Sequence, residues 1–325
     1  MSEQKPRIVF LDAATYGDVS LQLFTDQWDC TVYQITSSTE TTPRLVGQTI
    51  AITNKVPFDR AVLNSPEASA LKLIAVAATG TDIIDHETAA KRAIKICNVP
   101  DYATQSVAQF TMALILELAT RLGDYARSVK AGAWQKSPVF SLLTHSSIEL
   151  RGKKLGIVGY GNIGRAVAQM ASSFGMEILI ASRLGDDAPT FHGRIPIEEL
   201  LKQSDIITLH CPLTPETKNL INEQTLSLMK PTAILINTAR GALIDEAALV
   251  DALRNKSIAA AALDVISKEP PPADHPIILA VGELDNLLVT PHSAWSARET
   301  RQRLLEEVKK NIVAFLQGHP KNLVI

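Results

Sequence analysis

Three side chains in the second half of the sequence could together handle a proton and a carboxylate. Arg240 stands in an Asn-Thr-Ala-Arg-Gly segment, Glu269 in Lys-Glu-Pro and His292 in Thr-Pro-His. An arginine fork pairs with a carboxylate through two parallel hydrogen bonds, so it can orient an acid substrate. A histidine gives and takes a proton near neutral pH, and a neighbouring carboxylate stabilises its protonated form. These residue types are what a nicotinamide enzyme acting on a 2-keto acid needs.

Each of the three also has an ordinary explanation when it is taken alone. A lone arginine is usually a surface charge, and a histidine after a strand is usually a cap or a core-edge residue. A glutamate before prolines, such as Glu269, can simply belong to an exposed loop. The catalytic interpretation therefore depends on the three residues acting together on a fold that binds a dinucleotide.

The glycine pattern at residues 159–164 is the evidence for such a fold. An apolar run at 154–158 is typical of a strand, Gly159, Gly161 and Gly164 follow as Gly-x-Gly-x-x-Gly, and helix-forming residues come next. The glycines allow a tight turn, a close approach of the pyrophosphate and close packing of helix on strand. The phosphates then meet the free N–H groups of the helix. We favour dinucleotide binding over a purely structural turn.

Two series of short strands with helix-length connections must position these residues. The first has strands at 8–11, 31–33, 49–52, 73–77 and 93–97, and the second has strands at 154–158, 177–181, 206–209, 233–236, 259–263 and 286–289. Such alternation favours parallel sheets, whose ligands lie beyond the carboxyl ends of the strands. Polar residues follow nearly every strand of the second series: Ser182, Arg183, His210, Cys211, residues 237–240, Asp264 and His292.

Three further segments carry expectations of their own. Residues 77–82, which include Thr79 and Gly80, could offer backbone N–H groups to an anion or could form an ordinary helix N-cap turn, and spacing does not separate the two. Residues 104–131 predict one long core or interface helix. Residues 296–318 predict an amphipathic helix that returns to the first domain.

Composition excludes several classes of protein. A length of 325 residues predicts about two domains, and a formal charge of −2 provides no basic field for nucleic acid. The cysteines Cys30, Cys97 and Cys211 are sparse and lack CxxC spacing, which favours reduced thiols over disulfides or a zinc site. Since no leader-like or membrane-length apolar run occurs, we expect a cytoplasmic protein without membrane contact.

Taken together, the motifs resemble those of the D-isomer-specific 2-hydroxyacid dehydrogenase family. The resemblance covers nearly the whole chain and rests on residues 159–164, 237–241, 262–265, 268–270 and 290–292. It implies an α/β fold of two doubly wound parallel-sheet domains, with a Rossmann cofactor domain at 101–295. That domain would be inserted in a flavodoxin-like substrate-binding domain made of residues 1–100 and 296–325, and the cleft would close on cofactor and substrate.

The same resemblance implies a role for each site residue. His292 would be the acid/base, Glu269 its partner and Arg240 the cation that orients the substrate. Thr79 and Gly80 would join Arg240 and His292 in binding the substrate, which favours the anion-binding interpretation of their loop. Asp264 would contact the nicotinamide side of the cofactor. The other expected cofactor contacts are Gly159, Tyr160, Gly161, Asn162, Ile163, Gly164, Ser182, Arg183, Cys211, Pro212, Thr217, Thr238 and Ala239.

Cofactor choice depends on the end of the second cofactor-domain strand. Many NAD-dependent members of the family carry an aspartate there, but this chain reads Ala181-Ser182-Arg183. An arginine and a hydroxyl without an acid favour a 2′-phosphate, so we expect NADP. Asp186 and Asp187 lie further along the chain and could restore a preference for NAD.

Within the family, residues 98–109 and 292–295 look most like glycerate dehydrogenases, also called hydroxypyruvate reductases. We therefore expect hydride transfer between the cofactor and hydroxypyruvate, giving D-glycerate, with glyoxylate to glycolate as a second reaction. The alternative from another class is a nucleotide-sensing regulatory binding protein of the same fold. A formate dehydrogenase is a third interpretation, and Glu269 counts against it. The family likeness also implies a homodimer.

Overall fold

The chain divides into two compact units in the computed structural model, which describes residues 6–183 and 193–325. One unit consists of Met1–Ala103 with Ser296–Ile325, and the other is Thr104–Trp295. Each strand predicted from the sequence is present, with ends shifted by at most two residues. The prediction of two parallel-sheet α/β domains is therefore confirmed.

The first unit is built on a five-stranded parallel sheet in the order β2-β1-β3-β4-β5. This is the flavodoxin-like order, and its inner strands are apolar on both faces because helices cover both sides. Its elements are β1 (Arg7–Phe10), α1 (Gln22–Thr25), β2 (Asp29–Val32), α2 (Ser38–Thr41), β3 (Ile50–Thr53), α3 (Arg60–Asn64), β4 (Leu73–Val76), α4 (His86–Lys91) and β5 (Lys95–Cys97).

The second unit contains the elements α5 (Thr104–Thr120), α6 (Leu122–Lys130), β6 (Lys154–Val158), α7 (Asn162–Ser173), β7 (Glu177–Ile180), α8 (Ile197–Gln203), β8 (Ile206–Leu209), α9 (Glu223–Ser227), β9 (Ile234–Asn237), α10 (Glu246–Arg254), β10 (Ala260–Leu263), α11 (Pro276–Val281) and β11 (Leu287–Val289). Its six-stranded sheet has the order β11-β10-β9-β8-β6-β7, and every pairing is parallel. A single bridge from Ala181 to Ile195 extends the sheet beyond β7. The strand order reverses between β6 and β8, where doubly wound sheets bind their ligands.

The predicted single helix over 104–131 is wrong in one respect, because it is two helices. Arg121 separates α5 from α6 with a left-handed backbone, φ 56°. Its guanidinium lies 2.5 Å from the Asp124 carboxylate, and the Gly123 N–H donates to Glu117 Oε1 at 3.0 Å. These local contacts stabilise the interruption between the two helices. Helical periodicity alone did not indicate that interruption. Helix α5 packs against α7 and β9 of the same unit.

The last helix, α12 (Arg298–Leu316), packs against β4 and α1 of the first unit. Its buried face carries Leu304, Leu305, Val308 and Ile312 at helical spacing. The buried Asn311 donates from Nδ2 to the Asn98 carbonyl at 2.8 Å, which fixes the helix beside β5. Of the helices in the described ranges, none has the length and apolar character needed to cross a bilayer.

Candidate active site

His292 and Glu269 meet as a hydrogen-bonded pair in the second unit. His292 follows β11, Glu269 lies in the loop after β10, and these two strands are neighbours in the sheet. The Nδ1 atom of His292 lies 2.5 Å from Glu269 Oε2, and the side chains keep 30% and 33% of their surface exposed. A carboxylate at this distance orients the imidazole, while the pair still reaches solvent.

Asp264 holds the turn that carries His292. The His292 backbone is left-handed, φ 52°, a conformation that costs a non-glycine residue about 1–3 kcal/mol unless its surroundings enforce it. The His292 N–H donates to the Asp264 carbonyl at 2.7 Å. Asp264 Oδ1 accepts from Thr290 Oγ1 at 2.6 Å and from the Ser293 N–H at 2.9 Å, and Oδ2 accepts from the Ala294 N–H at 2.9 Å.

Asp264 is 1% exposed, so its carboxylate is committed to this turn. The arrangement gives it a positioning role that motif spacing did not suggest. Its contact with the nicotinamide side stays a prediction.

The Arg240 turn is closed by a buried amide. Asn237, the last residue of β9, donates from Nδ2 to the Arg240 carbonyl at 2.9 Å and accepts from the Ala239 N–H at 3.0 Å. The Arg240 side chain is exposed beyond this turn, and its Nη1 donates to the Ala239 carbonyl at 2.8 Å. The turn is therefore held by its own residues, and the guanidinium retains further donors for a ligand.

Gly241 brings the Arg240 turn against the loop that leads to Glu269. A Cβ atom on Gly241 would lie 1.9 Å from the Ile266 carbonyl carbon, so a side chain cannot be accommodated there. The N–H group of the same residue, Ile266, donates a hydrogen bond to Glu269 Oε1 at 3.0 Å. Two of the predicted catalytic loops are thus in direct backbone contact.

The glycine turn after β6 has the geometry that its sequence predicts. Gly159 has φ 97°, and a Cβ there would lie 2.4 Å from the Cys211 nitrogen. A Cβ on Gly164 would lie 2.2 Å from the Gly159 oxygen, whereas one on Gly161 would meet nothing within 4 Å. The first and third glycines permit close packing, and the second leaves open space at the N-terminus of α7.

This turn borders a cavity of about 620 Å³ in the second unit. Eight of the predicted cofactor contacts line it: Gly159, Tyr160, Gly161, Ser182, Arg183, Cys211, Pro212 and Thr217. Its volume falls in the range of ligand and cofactor sites, and its lining combines apolar side chains with a few polar and charged groups. Asn162, Ile163 and Gly164 form the first turn of α7, and the hydroxyl of Thr238 lies 3.0 Å from that of Thr111, while Ala239 belongs to the Arg240 turn.

Two arginines of the lining did not emerge from the sequence as candidates. Arg165, in the first turn of α7, donates to the Tyr160 carbonyl at 3.3 Å. Arg194 precedes Ile195, whose carbonyl accepts from the Ser182 N–H at 2.8 Å. Arg194 reaches the cavity because its neighbour Ile195 forms a β-bridge with Ala181. This bridge is a tertiary contact, so the sequence alone did not indicate it.

Ser182 and Arg183 stand at the end of β7 as predicted, on the wall of the cavity. Ser182 Oγ is buried and has no hydrogen-bond partner among the residues that the structure describes. A buried hydroxyl without a partner is costly, and a ligand group can supply that partner. Asp186 and Asp187 lie outside the described residues.

Two titratable groups of the cavity are held neutral. Burial lowers the pKa of His210 to about 3, and the His210 Nε2 lies 2.9 Å from Thr208 Oγ1. Burial raises the pKa of the Cys211 thiol to about 11. Neither side chain brings charge to the cavity near neutral pH, so the charged groups of its lining are Arg165, Arg183, Arg194 and Glu216.

Thr79 and Gly80 lie in the first unit, directly beyond the carboxyl end of β4. The Thr79 hydroxyl donates to the Val99 carbonyl at 2.9 Å. The Thr79 carbonyl accepts from Asn98 Nδ2 at 2.7 Å. Both the side chain and the backbone of Thr79 therefore anchor the loop to the segment after β5.

Comparison with known proteins relates the chain to one family. Residues 112–294 match the family model described as D-isomer specific 2-hydroxyacid dehydrogenase, NAD binding domain. A glycerate dehydrogenase of Methylorubrum extorquens is 40% identical, with 98% of each chain covered. A hydroxypyruvate reductase of Blautia hydrogenotrophica is 38% identical, covering 98% of this chain and 99% of that one.

Among solved structures, an acyclic imino acid reductase in complex with NADPH and D-Arg superimposes with a TM-score of 0.83. It is 30% identical, and the match covers 98% of this chain and 100% of that chain.

Proposed function

The chain belongs to the D-isomer-specific 2-hydroxyacid dehydrogenase family, and we propose that it reduces hydroxypyruvate to D-glycerate, and glyoxylate to glycolate more slowly. Oxidoreductases of this family transfer a hydride between a nicotinamide cofactor and a 2-hydroxy acid. The observation that carries the proposal is the pair formed by His292 and Glu269, which lie 2.5 Å apart in the same unit as the cavity that the glycine turn borders. The relatives named glycerate dehydrogenase and hydroxypyruvate reductase support this choice of substrate.

The residues of the cavity fit a nicotinamide dinucleotide. The open space at Gly161 and the N–H groups of α7 suit the pyrophosphate, and Ser182 Oγ offers a buried hydroxyl that has no hydrogen-bond partner within residues 6–183 and 193–325. When bound, the reduced cofactor supplies a hydride to the carbonyl carbon of the substrate. Two electrons reach the substrate in this way, and the protein must supply the proton.

His292 supplies that proton. Its Nδ1 faces Glu269, so Nε2 is the ring atom that donates to the carbonyl oxygen as this becomes a hydroxyl. Solvent then restores the proton, because the ring remains 30% exposed. Glu269 stabilises the imidazolium before transfer and fixes the direction of the ring.

Arg240 orients the substrate through its carboxylate. The turn that Asn237 closes presents the guanidinium to solvent, where its planar fork can form two parallel hydrogen bonds. The loop with Thr79 and Gly80 would contribute backbone N–H groups to substrate binding. We propose that residues 1–100 with 296–325 form the substrate-binding domain and that residues 101–295 form the cofactor-binding domain, which also supplies Arg240 and His292.

NADP is the proposed cofactor. Arg183, which follows Ser182 in the chain, and Arg194 both line the cavity, and no acidic residue stands directly after β7 where a ribose diol would be bound. Two guanidinium groups favour a 2′-phosphate, which carries up to about two negative charges. The related imino acid reductase was determined with NADPH, which supports the same choice.

A homodimer in the cytoplasm is the proposed state of the protein. The segment after α6 exposes large apolar side chains, with Phe140 at 93%, Leu143 at 83% and Val139 at 58%. Exposed apolar area of this kind is typical of a subunit interface. Sedimentation of the purified protein should give twice the chain mass, and Phe140→Ser with Leu143→Ser should give the monomer.

The three cysteines are free thiols, as expected in a reducing compartment such as the proposed cytoplasm.

One steady-state experiment tests the proposed reaction. Hydroxypyruvate, glyoxylate, pyruvate and 3-phosphohydroxypyruvate are each supplied with NADPH and with NADH. The proposal predicts the highest kcat/KM for hydroxypyruvate with NADPH. Tight dinucleotide binding without turnover of any 2-keto acid would instead support a nucleotide-sensing protein, and a preference for pyruvate would contradict the substrate assignment.

A further inference from the structure

A second histidine with a carboxylate partner lies behind the loop that carries Glu269. Ser267, two residues before Glu269, is held by both oxygens of Glu246, the first residue of α10. Its N–H donates to Glu246 Oε1 at 2.7 Å, and its hydroxyl donates to Oε2 at 2.7 Å. The carboxylate therefore fixes both the backbone and the side chain of Ser267.

His275 closes this cluster from the N-terminus of α11. Its side chain is 6% exposed, and its Nε2 lies 3.3 Å from Glu246 Oε2 and 3.3 Å from Ser267 Oγ. Its Nδ1 accepts the Ile277 N–H at 3.3 Å. Since Nδ1 is an acceptor, the ring hydrogen resides on Nε2 and points at Glu246 and Ser267.

The cluster does not have the arrangement of a hydrolase triad. In such a triad the serine hydroxyl donates to an imidazole lone pair, and the carboxylate binds the other ring nitrogen. Here the Ser267 hydroxyl donates to the carboxylate, and the ring nitrogen nearest Ser267 is itself a donor. Among the described residues, no imidazole lone pair faces the Ser267 hydroxyl to remove its proton.

We propose that Glu246, Ser267 and His275 are positioning residues for proton transfer at His292. They fix the loop at Ser267, and the preceding residue, Ile266, donates its N–H to Glu269 Oε1 at 3.0 Å. Glu269 Oε2 in turn meets His292 Nδ1. The cluster is thus connected to the imidazole through one loop and two successive hydrogen bonds, although none of its members contacts His292.

The shape of the loop explains why such an anchor is needed. Residues 267–270 are exposed, so core packing does not fix Glu269. The preceding residue, Ile266, is wedged against Gly241 and cannot move toward the Arg240 turn. The bonds from Glu246 hold the other side of the loop, and α10 and α11 pack against each other beneath it. A shift of Glu269 by about 1 Å is enough to cost about 100-fold in rate.

This inference rests on the proposed function, and Glu246→Gln is its principal test. We expect kcat for hydroxypyruvate to fall about 10- to 100-fold with an unchanged KM for NADPH. In a protein that already carries Glu269→Gln, adding Glu246→Gln should lower kcat little further, because the side chain that Glu246 positions, Glu269, is already altered. Glu283→Gln, which alters a surface carboxylate paired with Arg254 in the same unit, is the matched control and should change neither parameter.

A purely structural role would reproduce the full fall in the Glu269→Gln background, and that result would overturn the proposal. Should Glu246→Gln fail to fold, Ser267→Ala and Ser267→Thr replace it. Ser267→Thr should retain near wild-type kcat, because it keeps a hydroxyl that can donate a hydrogen bond to Glu246. Ser267→Ala lacks this hydroxyl, so its kcat should be lower. Equal kcat values for these two variants would also overturn the proposal.

A measurement without turnover separates this inference from the proposed function. The nitrogen resonances of the His292 ring, measured by NMR at one fixed pH, report its pairing with Glu269 in the intact protein. Glu246→Gln should shift these resonances in the same direction as Glu269→Gln. If Glu246→Gln causes the shift but the wild-type protein does not reduce hydroxypyruvate, only the proposed reaction is refuted. If the wild-type protein is active but Glu246→Gln causes no shift, only the positioning role is refuted.

Discussion

The backbone of His292 is bound to Asp264, while its side chain is bound to Glu269. The His292 N–H donates to the Asp264 carbonyl at 2.7 Å, and Nδ1 lies 2.5 Å from Glu269 Oε2. Asp264 and Glu269 belong to the same connection after β10. One segment of chain therefore sets both the left-handed conformation of the residue and the direction of its ring.

The rate of the reduction should respond to Glu269→Gln. The carboxylate holds the His292 ring through a hydrogen bond from Nδ1, and an amide holds it less firmly. We expect kcat for hydroxypyruvate to fall about 10- to 100-fold while the KM for NADPH stays near its wild-type value. Glu283→Gln serves as the control. If kcat keeps its wild-type value, the two residues are not coupled in the reaction.

Arg240→Lys should impair use of the substrate far more than binding of the cofactor. An ammonium cannot reproduce two parallel hydrogen bonds to a carboxylate, so KM for hydroxypyruvate should rise about 10- to 100-fold. The dissociation constant of NADPH should stay near its wild-type value. Arg254→Lys, at an exposed pair with Glu283, provides the matched control. Unaltered keto acid kinetics would make Arg240 a structural residue.

Cofactor preference should change at the end of β7. Arg183→Ala and Arg194→Ala should each raise KM for NADPH about tenfold and leave KM for NADH nearly unchanged. Ser182→Asp should oppose NADPH through like-charge repulsion and favour NADH through the ribose hydroxyls. Arg165→Ala is the comparator, because Arg165 lies at the glycine turn and should affect both cofactors alike. Equal effects of Arg183→Ala on both cofactors would refute the NADP assignment.

His210 should make the second unit less stable in acid. Burial lowers its pKa to about 3, whereas in the unfolded chain a histidine titrates near pH 6.5. Below about pH 6.5 the unfolded chain therefore binds a proton that the folded chain does not, and stability falls as pH falls toward the folded value.

Between about pH 6.5 and pH 5.5 the free energy of unfolding should lose up to about 1 kcal/mol through His210. Thermal unfolding at these two pH values measures the loss. His210→Asn should show a smaller drop in midpoint between them than the wild type, whereas His319→Asn, at an exposed position, should match the wild type. An unchanged drop in His210→Asn would mean that His210 is charged in the folded protein.

Local sequence was sufficient to predict the strands and the glycine turn. Inner strands such as β3 and β9 are buried on both faces, so they read as unbroken apolar runs. Gly164 is required by its contact with Gly159 inside one strand–turn–helix unit, and the positive φ of Gly159 is a property of the turn itself, although Gly159 also packs against Cys211 after β8. The motif residues after the strands likewise follow from the rule that ligands lie at carboxyl ends.

Features that depend on distant parts of the chain were not predicted. Arg194 reaches the cavity because Ile195 pairs with Ala181. Ser267 and His275 look like ordinary polar residues until α10 brings Glu246 between them. In both cases the deciding contact joins residues far apart in the chain. The break at Arg121 is different, because Glu117 and Asp124 satisfy it through contacts close in the chain; it was missed because helical periodicity continues through it.

The most direct test of the account is the rate of hydroxypyruvate reduction by His292→Gln. Glutamine cannot donate a proton as an acid, but the cavity around Gly161 is untouched. The account predicts that kcat falls about 10²- to 10⁴-fold while the dissociation constant of NADPH stays within about twofold of the wild type. A variant that binds NADPH normally and retains near wild-type kcat would show that His292 is not the proton donor, and the central claim would be wrong.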